Sequence, residues 1–135
     1  MQIQPYLFFE GRTEEAINFY KKAVGAEVAM LMRWKDCPDK SAVTPTNENK
    51  VMHASLKIGE AQVLASDGSN KGNPDFKGFA LTLNATDETD ADSKFNALSA
   101  GGQVTMPLGK TFFSPRFGML TDKFGVHWMV IIQPH

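Results

Sequence analysis

GMLTDKFGVHWMVII, Gly118 to Ile132, reads as a strand, a tight turn and a final strand. The polar run Thr121-Asp122-Lys123 leads into Phe124 and Gly125, and a short Gly-containing connection between two apolar runs is a hairpin signal. Val126 to Ile132 is an apolar run rich in β-branched and aromatic residues, which suits a buried strand. On a strand, alternation puts His127 and Met129 on one face and Trp128 and Val130 on the other.

Working back from this hairpin, Lys77 to Asn84 reads as a strand. Asp87 to Ala100 reads as a helix with acidic residues early, stopped by Gly101-Gly102. The same order occurs near the start of the chain. Ile3 to Phe9 is a short apolar and aromatic run that contains Pro5, so it is expected at a sheet edge or to begin near Pro5. Thr13 is the expected N-cap of the next helix. Glu14 and Glu15 lie at the positive end of its dipole, Lys21 and Lys22 near the negative end, and Gly25 is the expected stop. Ala16, Ile17, Tyr20, Ala23 and Val24 recur at helical spacing and are expected to pack on a sheet.

Glu27 to Trp34 reads as a strand, followed by a long polar loop, Lys35 to Lys50, with Cys37, Pro38 and Pro45. Val51 to Ile58 alternates, with Met52, Ala54, Leu56 and Ile58 on one face and His53, Ser55 and Lys57 on the other. Gly59-Glu60 turns into Ala61 to Ser66. Asp67 to Lys77 has linker composition. A gapless alignment of EEAINFYKKAVGAEV, Glu14 to Val28, on DADSKFNALSAGGQV, Asp90 to Val104, superposes Phe19 on Phe95, Gly25 on Gly101 and Val28 on Val104. Two modules of strand, helix and three strands follow, residues 1–68 and 76–135 of a single domain 1–135.

Composition narrows the partners. The 135 residues carry 14 Lys plus Arg against 15 Asp plus Glu, so there is no basic field for nucleic acid or an anionic membrane surface. No apolar run approaches the ~20 residues of a membrane span, and the first residues lack the pattern of a signal peptide. Cys37 is the sole cysteine, which excludes an intramolecular disulfide and suits a reducing compartment. The expectation is a cytoplasmic protein.

Three stretches together, PYLFFEGRTEEAINFYKKAVGAEV, VMHASLKIGEAQVLASDG and FGMLTDKFGVHWMVI, resemble the vicinal oxygen chelate superfamily. This is the glyoxalase, bleomycin-resistance and dioxygenase fold. More narrowly, the chain looks like the PhnB-like branch, whose domain label refers to demethylubiquinone methyltransferase. The resemblance implies an α+β fold of paired βαβββ modules, a cup-shaped mixed sheet and a homodimer. Metal-using members take histidine, glutamate or glutamine ligands from the first and last strands of each module. By the same resemblance those positions fall here at Pro5, at Leu64 or Ala65, at Phe79 and at Met129. Only the soft thioether of Met129 is a donor, so no cofactor and no usual metal site are expected. A divalent metal stays possible through a second set, His53, Asp67 and His127, which would suit iron or zinc. These three lack any short metal-ligand spacing; partly buried polar residues bonded to backbone are the competing reading.

The remaining candidates each have a plain structural alternative. His53 is either a ligand contact or general base, or a solvated cross-strand residue. Asp67 either accepts from a ligand or caps a turn. In TFFSPRF, Thr111 to Phe117, Phe113 with its neighbouring rings offers an apolar wall. Arg116 there offers a fork for carboxylate or phosphate; the alternative is core aromatics and a solvated Arg116. Arg33 and Trp34 could close over a ligand or serve a dimer interface. With Phe79, His127 and Met129, these residues form the expected ligand-binding set: Trp34, His53, Asp67, Phe79, Phe113, Arg116, His127 and Met129.

Three functions follow. The first is a binder that holds a small organic molecule in an aromatic-lined cup. The second is a metal-dependent lyase, isomerase or dioxygenase. The third is the methyltransferase of the domain label, which the sequence disfavours because no Gly-rich strand-to-helix loop offers a cofactor cradle.

Overall fold

Each half of the chain folds as strand, helix and three strands, in a computed structural model that describes residues 1–69 and 72–133. The first unit, Met1–Pro74, contains β1 (Tyr6–Phe8), α1 (Thr13–Val24), β2 (Glu27–Arg33), β3 (Val51–Ile58) and β4 (Ala61–Ser66). The second, Asp75–His135, contains β5 (Leu81–Asn84), α2 (Glu88–Ser99), β6 (Gln103–Gly109), β7 (Phe117–Thr121) and β8 (His127–Ile131). Sheet orders are β1-β4-β3-β2 and β5-β8-β7-β6. In each, the first strand runs parallel to the last and the other pairs are antiparallel. The architecture is α+β with two mixed sheets.

The internal repeat extends beyond the helices that revealed it. The alignment that sets Glu14 on Asp90 also sets Glu27–Arg33 on Gln103–Gly109, the observed bounds of β2 and β6. Both edge strands even break register at matching places, between Val28 and Met30 and between Val104 and Met106. Such a bulge twists an edge strand and blunts its tendency to pair onward. Pro107, which has no N–H for a ladder, is tolerated in β6 because that strand is an edge.

On α1 the expected stripe is buried: Ala16, Ile17, Tyr20, Ala23 and Val24 all face the sheet. Full burial of a side chain such as Ile17 contributes about 1.5–3 kcal/mol. Gly25 adopts φ 69° and its N–H bonds to the Tyr20 carbonyl, which closes the helix in the left-handed conformation that favours glycine. In the second unit Asp87 caps α2 by accepting from Asp90 N at 2.7 Å.

Several expected boundaries move. β1 spans Tyr6–Phe8 rather than Ile3 to Phe9: Ile3 is 90% exposed, and Pro5 serves only through its carbonyl, which accepts from Leu64 N. Likewise the strand expected over Lys77 to Asn84 begins at Leu81. Thr13 is not the N-cap. It lies in the first turn of α1, and its N–H is held by Asp67 from far along the chain. The Lys35–Lys50 loop is locally ordered, with single-turn 3-10 helices at Trp34–Asp36 and Lys40–Ala42. Its base is tied by Trp34 N to Lys50 O and Lys35 N to Glu48 O.

Gly102 shows how tightly the second unit is packed. A Cβ there would overlap the Thr121 carbonyl oxygen and stand 2.8 Å from the Asp122 carbonyl carbon. Gly102→Ala should destabilise the protein by about 2–4 kcal/mol in urea unfolding. Gly59→Ala meets no atom within 4 Å and carries only the strain of its φ of 59°. It should cost about 1 kcal/mol, and equal losses for the two variants would contradict this packing.

Candidate ligand-binding site

β1 and α1 are joined by a turn in which the Phe9 carbonyl accepts from Arg12 N at 3.1 Å. Its central residues, Glu10 and Gly11, both have positive φ, 52° and 104°. Glu10 is the one non-glycine in that region among the described residues, at a cost of about 1–2 kcal/mol. Beside this turn is a cavity of about 480 Å³, lined by Phe8, Glu10, Trp34, Met52, Ser66 and the backbone of Gly68, among others. All of these belong to the first unit. Its volume lies in the range of about 300–1,000 Å³ usual for small-molecule sites.

Backbone order explains why these residues converge. Phe8 pairs with Ser66 in the parallel β1–β4 ladder, so the ends of these strands open on the same space. Phe8 is 52% exposed, and its ring continues to Tyr6 at 4.8 Å and from Tyr6 to His53 at 5.6 Å. Trp34 approaches from the first 3-10 turn, held at its start by Asp36 accepting from Arg33 N. The Gly68 backbone comes within reach because it has no side chain: a Cβ there would stand 3.2 Å from both Glu10 carboxylate oxygens.

Asp67, the residue between Ser66 and Gly68, is turned inward. It is 3% exposed, and its two carboxylate oxygens accept from Thr13 N at 2.9 Å and Val51 N at 2.7 Å. Its expected place among the ligand contacts, and in a set with His53 and His127, is therefore corrected. The carboxylate is occupied by the start of α1 and the start of β3. Asp122 has the same habit in the second unit: it accepts from Phe124 N, Val126 N and Trp128 Nε1.

The other expected residues are placed as follows. Trp34 lines the cavity. His53 is half-buried in β3, its Nδ1 3.1 Å from the Tyr6 hydroxyl. In the second unit, His127 and Met129 share the half-buried face of β8 while Trp128 and Val130 are buried. His127 Nδ1 is 2.9 Å from Thr121 Oγ1, and Met129 Sδ accepts from Thr82 Oγ1 at 3.8 Å. Met106, Met119 and Met129 are direct cross-strand neighbours, a row of polarizable thioethers. Phe113 is 39% exposed and packs edge-on against Phe117, with ring centroids 4.9 Å apart. Phe79, 43% exposed, precedes β5 and contacts Phe76.

Arg116 does not offer a free fork. Its Nε and Nη2 donate to the two carboxylate oxygens of Asp92 at 3.2 and 3.0 Å. That hydrogen bonding, and secondarily the carboxylate charge, raises the guanidinium pKa above its ordinary value. Arg33 is engaged similarly by Glu14 and the Asn49 carbonyl.

Strand pairing also places the metal positions that the sequence resemblance implied. Tyr6 sits beside Leu64 and Thr82 beside Met129; Pro5 and Phe79 lie outside the strands. Neither a carboxylate nor an imidazole stands at these four strand positions, which does not fit a hard or borderline divalent ion. Among the described residues, no three His, Cys, Asp or Glu side chains group as a metal site. Phe8 and Glu10 went unnoticed in the sequence as site residues. The one available signal was Gly11 after Glu10, which marks a turn but not the space beside it.

A family model described as 3-demethylubiquinone-9 3-methyltransferase matches residues 1–131. Protein YjdN of Escherichia coli (strain K12) is 30% identical over 138 residues, 96% of this chain and 94% of that protein. Of solved structures, PA1353 from Pseudomonas aeruginosa is 37% identical with a TM-score of 0.86, over 98% of each chain. A Bacillus cereus protein described as a putative 3-demethylubiquinone-9 3-methyltransferase, PhnB protein, is 30% identical with a TM-score of 0.81, over 98% of this chain and 99% of that one. At lower identity the fold alone is shared. A glyoxalase-related enzyme from Fulvimarina pelagi gives a TM-score of 0.64 at 17% identity, over 99% and 89% of the two chains. The fosfomycin resistance protein FosX from Listeria monocytogenes gives 0.66 at 9%, over 99% and 93%.

The inward role of Asp67 has a direct consequence. Asp67→Asn puts an amide N–H₂ against one of two backbone N–H donors in a buried site. It should lower stability by about 2–3 kcal/mol in chemical denaturation. A loss below about 0.5 kcal/mol would contradict this assignment.

Proposed function

Because the chain belongs to the PhnB-like family described as 3-demethylubiquinone-9 3-methyltransferase, we propose that it binds a small organic molecule. The observation that carries this reading is the cavity of about 480 Å³ beside Phe8 and Trp34, where two aromatic side chains, Met52 and the Ser66 hydroxyl converge. Apolar walls with few polar groups are the usual make-up of such sites.

Two other chemistries are less well supported by the residues. Metal-assisted chemistry of the superfamily type needs hard donors, and the strand positions supply Tyr6, Leu64, Thr82 and Met129. Methyl transfer is what the family description names. Nucleotide-type cofactors, however, are commonly cradled by a Gly-rich turn between a parallel strand and a helix. Here the β1-to-α1 turn holds Gly11 alone, and Glu10 occupies the position before it.

Self-association belongs to the same proposal. Edge strands β2 and β6 expose Val28, Met30, Val104 and Met106, at 36–43% each, and a second copy is the partner we assign to them. Among the described residues no helix is long and apolar enough to cross a membrane. The lone Cys37 thiol accords with our placement of the protein in the cytoplasm.

Two measurements test this reading. Titration with a panel of neutral aromatic fragments, followed by calorimetry, should show saturable binding that Phe8→Ala and Trp34→Ala each weaken about tenfold, a loss of about 1.4 kcal/mol. Binding unchanged in both variants, or no binding from the whole panel, would contradict it. In light scattering the native chain should weigh as a dimer and the Met30→Glu, Met106→Glu double variant should shift toward monomer; a native monomer would remove the second copy from the account.

A further inference from the structure

We infer that the row of thioethers across the second sheet, Met106, Met119 and Met129, is a binding site for a soft monovalent cation of the copper(I) type. The site lies in the second unit and is independent of the first-unit cavity. Met106 pairs with Met119, Met119 with Met129 and Met129 with Thr82, so one transverse line crosses all four strands of this sheet. Directly paired residues on antiparallel strands point to the same side, with Cβ atoms about 4.5–5.5 Å apart. That side faces away from α2: a Cβ on Gly118 would meet the Phe95 ring of α2, and Leu120, Trp128 and Val130 are buried. Met119 and Met129 are half-buried on the opposite face, and Met106 is 41% exposed.

Donor chemistry selects the occupant. A thioether is an uncharged, polarizable ligand that suits copper(I), whereas magnesium, calcium and manganese call for carboxylate or carbonyl oxygen. Neither the row nor the neighbouring Thr121–His127 pair contains a carboxylate. Methionine has three rotatable bonds, so adjacent sulfurs on one strip can turn to a common ion while the backbone stays in place. Two polar contacts set this row apart from apolar filling. Thr82 Oγ1 donates to Met129 Sδ at 3.8 Å, and His127, the next residue on the Met129 face, has Nδ1 2.9 Å from Thr121 Oγ1. With Nδ1–H donating to that hydroxyl, Nε2 carries the lone pair. A hydrogen bond of this kind to the far nitrogen is what orients a metal-binding histidine, and it adds an imidazole to the three thioethers.

Silver(I), an air-stable stand-in for copper(I), tests the site on the full chain carrying Cys37→Ser, which removes the free thiol as a competing soft ligand. Native mass spectrometry should show one silver ion per chain at stoichiometric addition. The methyl resonances of Met106, Met119 and Met129 should shift together. Met119→Leu and Met129→Leu conserve apolar volume, so both should fold, and each should weaken silver at least about tenfold. Met32→Leu, in the other sheet, should leave the affinity unchanged. Met106→Leu keeps the apolar edge of β6, so it should weaken silver without altering the mass in light scattering. Copper(I), measured by competition with a bicinchoninate chelator, should follow the same order of variants. No silver bound at stoichiometric addition, methyl shifts confined to other methionines, or an affinity that survives both Met119→Leu and Met129→Leu would reduce the row to an apolar strip and overturn the assignment.

Discussion

A buried carboxylate fixes the geometry of the first unit. Asp67 directly follows β4 and accepts from the first N–H of α1 and the first N–H of β3, so one side chain sets the relation of a helix, a strand and a turn. The helix start is one of the four orphan donor positions every helix carries, and a negative group there also meets the positive end of the dipole. Bonds from backbone donors to an ionised group contribute about 1.5–3 kcal/mol each, and their loss leaves buried donors unpaired. Because Ser66, Gly68 and Val51 line the cavity directly around Asp67 and its partner, the placement of that wall depends on the same contact. In the second unit Asp122 closes the β7–β8 hairpin and draws the Trp128 indole inward, which turns His127 and Met129 to the opposite face.

Local devices were legible for a physical reason. A hairpin and a helix stop have signals that lie within a few residues: Thr121 to Gly125 for the turn, Gly25 and Gly101-Gly102 for the two stops; the capping role of Asp87 was not read, the residue being placed inside the helix. Face alternation was readable in β8, where burial follows the period of a strand, whereas β3 departs from it because Ala54, Ser55 and Leu56 are all buried. The role of Asp67 was hidden because its partners, Thr13 and Val51, are distant in sequence, and composition made it look like the start of a linker. Thr13 misled for the complementary reason: its residue type suits a cap, but the cap is provided from elsewhere. The ion pair of Arg116 with Asp92 joins a loop to a helix and has no short-range signature either.

The candidate site shows the same division. Trp34 was recognisable as an aromatic at the end of a strand, next to a loop. Phe8 looked like strand interior and Glu10 like a turn residue; they become site residues only through the parallel pairing of β1 with β4, a contact that joins opposite ends of the unit. One fold thus hosts different chemistries by exchanging the side chains at strand ends. Here Tyr6 pairs with Leu64 and Thr82 with Met129 across the parallel ladders, so no carboxylate or imidazole stands at those strand positions.

Backbone and indole amide resonances read out the central claim most directly, since they report where a small organic molecule sits. On titration with an organic fragment, the account predicts that the Trp34 indole and the amides of Phe8, Glu10, Ser66 and Gly68 shift together and saturably. The Trp128 indole, held by Asp122 in the interior, should stay in place. Shifts confined to the second unit, or none at the Phe8–Trp34 wall with any fragment, would contradict it.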